Sequence, residues 1–575
     1  MVRNNMPLRT YYSLYKRNLA EKVATAINKK TPDTINNLMI NLKIGTGVTE
    51  DSIGFRMSLD VLKKQSSENK TSLLTSITSD KSLHDTAINS NTLVIHLNKY
   101  EFLQNVLQND VVKKVDPSEL LNKKPYIIEF SSPNIAKPFH VGHFRSTIIG
   151  NFLSRLMEYM DGRVIKLNYL GDWGPQFGYI ILGLELLKKQ DPHCCFTIES
   201  LHKAYILANK MAEKDDSVHV KAKSIFNELE FSKSSSDIIQ LWTNFRSITI
   251  EELEKTYKRL GVIFDWYDWE SKYAKESIQD ILEKLEHLGI LKYKDDGSAI
   301  VYCNNQETTV LKNDKSTLYL TRDIAAAVRR HEHYNSENLF YIVDSTQSKH
   351  FYQLKSIMHK IDPKINVQHI PFGRIHGMRS RKGEGVLLDE LLNEAKSIMT
   401  LRRKFSQTTK LNDQDENEIS DILGVSAIII NDLKQKRKKD YNFSWESALQ
   451  VNGDTGIKLQ YTHCRLVSLI QMNSNIEIPN EVNIQCLKDP VAIELVLELC
   501  RFEDILAETR QSLEACILVN YLFRLCNSIN RALKVLNVKN SVTPLAEQRL
   551  LLFNRAKNVL SIGMTILGLI PLKSM

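Results

Sequence analysis

The stretch from residue 125 to residue 171 constrains the fold more than any other part of the 575-residue chain. PYIIEFSS is a β-rich run that ends in turn residues, STIIGNFLSRLMEYM has apolar residues at helical spacing, and RVIKLNYLG is a second strand after Gly162. This order predicts a βαβ unit, with two parallel strands joined by a right-handed crossover. NLFYIVDS at 338–345, a helix and NVQHIPFG at 366–373 predict a second such unit.

Three regions of different character follow from the rest of the pattern. Residues 1–122 mix helical and strand patterns and predict a small α+β domain. Residues 123–385 form the Rossmann-type parallel-sheet core, interrupted at about 174–316 by a largely helical insertion with one strand pair around GSAIVYC. Residues 386–575 lack strand alternation and predict an all-α domain. The predicted fold class is therefore multidomain α/β.

Composition limits the class of protein. Apolar residues make up 42% and charged residues 25%, and no run reaches the ~18 apolar residues of a membrane span. The formal net charge is +9, with basic clusters at 379–382, 401–404 and 434–439. Such clusters favour a polyanionic partner, although solvated helix faces carry similar runs. The eight cysteines show no metal-ligand spacing, so we expect neither a zinc site nor a disulfide framework.

Residues 1–30 are basic and contain one acidic residue, Glu21. Two interpretations remain open, because amphipathic basic segments occur both as mitochondrial transit segments and as ordinary first helices. We favour the transit segment. It predicts the mitochondrial matrix, with the cytoplasm as the alternative.

The ligand of an open parallel sheet lies beyond the carboxyl ends of its strands, where SSPN and HVGH fall. A nucleotide there would place its phosphates at the start of the helix near His143, where free N–H groups and the helix dipole favour negative charge. Gly142 permits close backbone approach, and His140 and His143 are spaced to direct donors at the same oxygens. Two solvated or core-bonded histidines are the alternative. Neither common glycine-rich phosphate motif is present.

The wider sequence resembles class I aminoacyl-tRNA synthetases, and in particular the arginyl-tRNA synthetase family. EFSSPNIAKPFHVGHFRSTIIGNFL, KLNYLGDWGPQFG, LYLTRDIAAA, YIVDSTQSKHF, HIPFGRIHGMRSRKGEGVLLDELL and GDTGIKLQYTHCRL occur in family order. The resemblance implies an N-terminal tRNA-contacting domain, a catalytic core and an anticodon-binding domain. It also implies a monomer that uses ATP with Mg²⁺ to activate L-arginine and transfers it to the terminal adenosine of tRNA(Arg).

A guanidinium is planar and permanently charged, so its pocket needs carboxylates and other oxygens in a fixed fork. By resemblance, Asp323 and Tyr319 would recognise this group, and they lie on one face if their segment is helical. The full set implied to bind arginine is Glu129, Ser132, Pro133, Asn134, His143, Tyr319, Asp323 and Gln347. Taken singly, each has an ordinary structural alternative, such as a helix cap, a core residue or a loop residue.

The resemblance also implies the groups on the phosphate side. His140, Gly142, His143 and Met378 would contact ATP, and the catalytic set would be His140, His143, Lys137, Arg381 and Lys382. The family's mobile Lys-Met-Ser-Lys-Ser loop reads GMRSRKG at 377–383. This departure leaves open which cation replaces the second lysine, and Lys137 matches a lysine that compensates for it in the family.

Contacts with tRNA are implied for Asn98, Phe102, Trp445 and Tyr461, because exposed aromatic rings stack on unpaired bases. A core-facing Phe102 beside an exposed Asn98 is the alternative. Two other functions are alternatives. Another class I synthetase would not need Asp323 and Tyr319 opposite Glu129, and a non-catalytic RNA-binding relative would be expected to lose the histidines or the acids.

Overall fold

The structure is a computed structural model that describes residues 10–46, 53–65, 77, 86–109, 123–191, 196–231, 236–273, 276–303, 306–314, 318–378, 387–404, 413–450, 453–539 and 541–575. Its first part is a small α+β domain, as predicted. The helices are α1 (Tyr11–Ala26), α2 (Pro32–Asn41), α3 (Leu59–Gln65) and α4 (Lys99–Gln108). They pack with an antiparallel sheet, ordered β1–β2–β4–β3, of β1 (Lys43–Thr46), β2 (Ile53–Ser58), β3 (Thr86–Asn89) and β4 (Thr92–Leu97).

Helix α1 belongs to the folded domain. Thr10 caps it, and Tyr12 and Val23 are buried in the core. The helix is also bound to the C-terminal region, because Thr10 Oγ1 donates to Glu503 Oε2 (2.6 Å) and Tyr12 Oη donates to Asp504 Oδ2 (2.7 Å). The interpretation of this helix as a removable transit segment is therefore wrong.

A five-stranded parallel sheet forms the centre of the molecule. Its strands are β5 (Tyr126–Glu129), β6 (Val164–Leu170), β7 (Trp266–Trp269), β11 (Asn338–Asp344) and β12 (Asn366–Phe372), in the order β12–β11–β5–β6–β7. Helix α5 (Phe144–Met160) joins β5 to β6, and α12 (Ser348–Ile361) joins β11 to β12. Both predicted βαβ units are thus confirmed, and the strand order reverses between β5 and β11, where ligands of such sheets bind.

The predicted insertion differs from the structure in two ways. Helices α6 (Gln176–Gln190), α7 (Ile198–Ala212), α8 (Asp216–Phe231) and α9 (Asp237–Arg259) are followed by β7, which is an edge strand of the core sheet. The predicted strand pair is a three-stranded antiparallel sheet of β8 (Leu291–Tyr293), β9 (Ala299–Cys303) and β10 (Gln306–Leu311), reached through α10 (Glu276–His287). Strand β7 has only four residues at a sheet edge, and Trp266 is 48% exposed. Its pattern of buried residues is therefore too short to be recognised in the sequence.

After α11 (Tyr319–Tyr334) and β12, the chain becomes helical, as predicted. The helices are α13 (Leu388–Lys404), α14 (Asp413–Leu433), α15 (Trp445–Leu449), α16 (Gly456–Met472), α17 (Pro490–Ser512), α18 (Ala515–Val535) and α19 (Thr543–Ile566). One short exception is β14 (Tyr441–Asn442), which pairs with β13 (Ile375–His376) immediately before GMRSRKG. No helix in the described part of the chain is both long enough and apolar enough to cross a membrane.

A buried ion pair joins the core to the helical region. Arg145, in the first turn of α5, is 2% exposed and its Nε lies 2.9 Å from Oδ2 of Asp432, which is 1% exposed. Arg145 Nη1 also donates to the carbonyl oxygens of Gly373 (2.6 Å) and Lys439 (3.0 Å). The helix that follows HVGH is therefore fixed to the segment that leads into GMRSRKG.

We predict that Asp432→Ala lowers the free energy of unfolding by about 3–5 kcal/mol, because it leaves the Arg145 charge buried and unpaired. The matched control is Glu494→Ala, which removes an exposed ion pair with Arg531 and should cost less than about 1 kcal/mol. Urea unfolding followed by tryptophan fluorescence measures both. Equal losses in the two variants would contradict the role of the buried pair.

Candidate active site

The loop that follows β5 has an unusual backbone. Ser131, Ser132 and Ala136 have φ values of 71°, 44° and 57°, in the left-handed region that non-glycine residues seldom adopt. Such strain persists only where surrounding contacts fix the backbone. Here the Ser131 N–H donates to Ser146 Oγ and the Ser132 N–H donates to Asn168 Oδ1, both at 3.0 Å. The loop is therefore held in one shape at the carboxyl end of the sheet.

His140 has a defined tautomer in this arrangement. Its Nδ1 accepts a hydrogen bond of 3.0 Å from the N–H of Gly142. This hydrogen bond caps the 3₁₀ turn Val141–His143 at the entrance to α5. A neutral imidazole that accepts at Nδ1 carries its proton on Nε2. Because the side chain is exposed, His140 offers an Nε2–H donor to a ligand.

His143 lies in a drier environment. Its ring stacks on Phe139, with the ring centroids 5.5 Å apart, and its Nδ1 is buried with no hydrogen-bond partner among the described residues. Burial lowers the pKa of His143 to about 4, and the proximity of His140 adds to this effect. The imidazole is therefore neutral at physiological pH and can serve as a hydrogen-bond donor without carrying charge.

Hydrogen bonds connect the backbone of His143 to the end of β5. Thr147 Oγ1 donates to the backbone oxygen of His143 at 2.8 Å and lies 2.9 Å from Ser131 Oγ. The next loop residue, Ser132, has its Oγ 3.5 Å from Glu129 Oε1. The HVGH segment and the carboxylate of Glu129 therefore lie along one stretch of the carboxyl edge of the sheet, which we call the crevice.

Acidic side chains gather at the other end of this crevice. Glu129 ends β5, Asp268 lies in β7, Glu270 follows β7 and Asp323 lies in α11. Burial raises the pKa values of Glu129 and Glu270 to about 7, and the negative charge of Asp323 contributes to both increases. So much negative charge with so little solvent favours a cationic ligand.

Several of these acids have partners that the sequence analysis did not assign. Arg330 Nη1 lies 2.5 Å from Glu129 Oε2, and Arg322 Nε lies 2.9 Å from Glu270 Oε1. His350 Nε2 lies 2.6 Å from Asp323 Oδ2. The sequence contains one signal that Arg330 lies near this site. Arg330 follows Asp323 by two helical turns, so both lie on the same face of α11.

Comparison with known proteins identifies the family. The profile described as "tRNA synthetases class I (R), catalytic domain" matches residues 102–445, and "DALR anticodon binding domain" matches residues 459–575. The chain belongs to the arginyl-tRNA synthetase family. The resemblance and the fold class expected from the sequence are thereby confirmed.

Individual relatives agree with this assignment. The human protein named "Probable arginine--tRNA ligase, mitochondrial" is 34% identical over 578 residues, which cover 97% of this chain and 99% of the relative. The yeast Saccharomyces cerevisiae "Arginine--tRNA ligase, cytoplasmic" is 35% identical over 494 residues, or 83% and 81% of the two chains. The arginyl-tRNA synthetase of Thermus thermophilus shares the fold, with a TM-score of 0.80 at 19% identity, covering 97% of this chain and all of that structure.

The residues expected to bind arginine differ in their exposure. Tyr319 and Asp323 lie one turn apart in α11, and Tyr319 is 66% exposed. The guanidinium of Arg322 lies over the Tyr319 ring, 4.7 Å from its centroid, so the ring face accepts such a group. Pro133 is buried, whereas Gln347 at the start of α12 is exposed.

Asn134 is an exposed residue of the strained loop, and it forms a parallel bridge with Gly171 beyond β6. A Cβ atom at Gly171 would come within 2.1 Å of Asn134 Oδ1. A side chain at position 171 would therefore displace the Asn134 amide from its present position beside the loop.

The structure describes only some of the residues expected on the phosphate side. Lys137 Nζ lies 4.9 Å from the ring centroid of Tyr205 on α7. Met378 is 4% exposed, so a contact with ATP would have to involve its backbone. Arg381 and Lys382 lie outside the described residues. Leu387 forms an antiparallel bridge with His140, so the described chain at Leu387 lies beside the HVGH segment.

The structure corrects one of the expected tRNA contacts. Phe102 is 3% exposed, and its ring packs against Tyr15 and Phe55 at centroid distances of 5.3 and 6.1 Å. It has no free face for a base, so the stacking role is wrong and the core-facing alternative holds. Asn98 is exposed and caps α4.

In the helical domain, both expected tRNA-contacting aromatic side chains reach the surface to some degree. Tyr461 is 52% exposed, with the guanidinium of Arg465 5.8 Å from its ring centroid. Trp445 is half-buried and meets Phe443 edge to face, with the ring centroids 5.2 Å apart. Tyr461 therefore has the more accessible ring face.

We predict that His143 titrates near pH 4 in the folded protein, whereas an unperturbed histidine titrates near pH 6.5. Between these values the unfolded chain binds more protons, so the His143 contribution makes stability fall as pH decreases from about 6.5 to 4. NMR of histidine-labelled protein, assigned with a His143→Gln variant, measures the titration. An ordinary midpoint for the assigned ring would contradict its desolvation.

Proposed function

We propose that the protein is an arginine–tRNA ligase that acts as a monomer. It activates L-arginine with ATP to arginyl-adenylate and transfers the arginyl group to the 3'-terminal adenosine of tRNA(Arg). The observation that supports this most strongly is the single crevice with carboxylates for a flat cation at one end and imidazole donors beside a helix N-terminus at the other. All of these groups come from one chain.

Arginine would lie with its guanidinium at the acidic end. Asp323 uses only Oδ2 in its described hydrogen bond with His350, and Glu129 uses Oε2 for Arg330. One oxygen of each carboxylate is therefore available for the five donors of a guanidinium. The ring of Tyr319 covers the planar face. Ser132, Asn134 and Gln347 would contact the remainder of the amino acid, with Asn134 near its α-amino group.

ATP, entering with its Mg²⁺, would lie at the HVGH end. A carboxylate oxygen of arginine attacks the α-phosphorus, a new acyl–phosphate bond forms, and pyrophosphate leaves. The protein supplies no covalent nucleophile, because alignment of the two anions and stabilisation of charge on the phosphate oxygens suffice. His140 Nε2–H, His143 and the positive end of the α5 helix dipole would provide that stabilisation. Lys137, Arg381 and Lys382 would act on the pyrophosphate side.

The tRNA would contact both flanking domains. Asn98 on the small domain and Tyr461 and Trp445 on the helical domain are the proposed contacts. Not all of the basic run 434–439 is free for RNA, because buried Arg437 bonds to the carbonyl oxygens of Pro371 and Leu513. The exposed residues Lys436, Lys438 and Lys439 remain available to phosphates.

We also propose the mitochondrial matrix as the compartment, with the cytoplasm as the alternative. The human relative named mitochondrial aligns over 97% of this chain, and the yeast relatives named mitochondrial and cytoplasmic both align over 83%. Fluorescence microscopy of the full chain with a C-terminal tag tests this. Exclusive cytoplasmic signal would overturn it.

Charging of tRNA with arginine, lysine and glutamine in parallel tests the function directly. We expect arginine alone to be attached, because only a guanidinium fills the acidic fork. Charging with another amino acid would favour a different class I synthetase. Tight tRNA binding without charging would favour an RNA-binding relative that has lost catalysis.

We predict that Asp323→Asn raises the KM for arginine about 10- to 100-fold and leaves the KM for ATP nearly unchanged, because a charged hydrogen bond contributes about 1.5–3 kcal/mol. Glu332→Gln, an exposed acid on the same helix, is the matched control. Steady-state charging measures both constants. An unchanged KM for arginine in Asp323→Asn would remove this residue from guanidinium recognition.

A further inference from the structure

Arg330 is a buried cation behind the proposed arginine site. It lies on the same face of α11 as Asp323 and is 3% exposed. Its Nη1 lies 2.5 Å from Glu129 Oε2, and its Nη2 and Nε lie 3.0 and 3.1 Å from Asp268 Oδ2. The ring of Tyr169 covers the guanidinium at 4.7 Å. Arg330 therefore connects helix α11 to strands β5 and β7.

The partner of Arg330 on β7 is itself fixed. Asp268 Oδ2 also accepts a hydrogen bond of 2.7 Å from Tyr273 Oη, and its Oδ1 accepts one of 3.1 Å from the N–H of Trp269. A guanidinium held by two anchored carboxylates and an aromatic face cannot rotate freely. Arg330 thus fixes Glu129 Oε2, and Oε1 is left at the crevice, 3.5 Å from Ser132 Oγ.

The charge of Glu129 depends on the same contact. Burial raises the pKa of Glu129 to about 7, Asp323 and Asp268 act in the same direction, and Arg330 opposes the rise. The titratable and charged groups that face this carboxylate are Arg330 and Asp323 from α11, Asp268 from β7, Tyr169 from β6 and Tyr341 from β11. Arg330 is the only cation in this set.

We propose that Arg330 is a positioning residue for arginine recognition, which holds Glu129 through Oε2 and so directs Oε1 to the substrate guanidinium. This inference rests on the proposed function. In this proposal the Glu129 carboxylate binds two guanidinium groups. Oε2 binds that of Arg330, and Oε1 binds that of the substrate. Loss of the internal partner would let Glu129 take up a proton, and a neutral carboxyl group pairs poorly with a cation.

The test compares Arg330→Gln and Arg330→Lys with wild type and with Arg329→Gln, which removes an exposed charge one residue away. Initial rates of tRNA charging between about pH 6 and 8.5 give kcat/KM for arginine and for ATP. The pH dependence of kcat/KM for arginine reports the ionisation of groups in the free enzyme. In Arg330→Gln, we expect the midpoint of kcat/KM for arginine to move up by about one pH unit or more. The value at neutral pH should fall at least about tenfold, with ATP affected less than about twofold. Arg329→Gln should match wild type.

Arg330→Lys keeps the charge but loses the fork. It should lower kcat/KM for arginine with a smaller shift of the midpoint, and it decides the question if Arg330→Gln does not fold. Equal losses for arginine and ATP, or a wild-type pH midpoint in Arg330→Gln, would overturn the inference. So would a wild-type kcat/KM for arginine in Arg330→Lys. If wild-type protein fails to charge tRNA with arginine, the proposed function itself fails, and that result is distinguishable from these.

Discussion

The charged side chains buried at the carboxyl edge of the parallel sheet must neutralise one another. The acidic end of the crevice depends on this constraint. Glu129, Asp268 and Arg330 are 6%, 2% and 3% exposed, so each would be strongly destabilising without the others. Their ion pairs bring together β5, β7 and α11, which are far apart in sequence. The same contacts leave Glu129 Oε1 outside the ion pair with Arg330 and 3.5 Å from Ser132 Oγ, so the interaction that stabilises this edge also orients this carboxylate.

The two ends of the crevice differ in how they bind charge. The acidic end uses carboxylates whose negative charge is only partly neutralised by internal cations. The HVGH end uses groups that carry little or no formal charge, namely neutral His143, His140 Nε2–H and the positive end of a helix dipole. The strained loop at Ser131 and Ser132 holds both ends in fixed relation. This arrangement suits a reaction in which alignment and electrostatic stabilisation replace a protein nucleophile.

Much of this could be predicted from the sequence, because the βαβ units carry long periodic patterns and the family's motifs are contiguous. What sequence patterns did not show depends on contacts between distant segments. Phe102 has the right residue type for stacking, but packing with Tyr15 and Phe55 decides its burial. Asp268 lies in a four-residue edge strand inside the predicted insertion, so no sequence pattern indicated its ion pair with Arg330. Helix α1 is basic like a transit segment, yet its contacts with Glu503 and Asp504 place it in the fold.

A crystal structure with a non-hydrolysable arginyl-adenylate analogue is the most direct test of the account. We expect the guanidinium to lie within hydrogen-bond distance of Glu129 Oε1 and Asp323, against the ring of Tyr319. The group that replaces the α-phosphate should lie at the start of α5, within reach of His140 Nε2. A guanidinium bound elsewhere, with Glu129 and Asp323 contacting only protein groups, would contradict the central claim that one crevice serves both substrates.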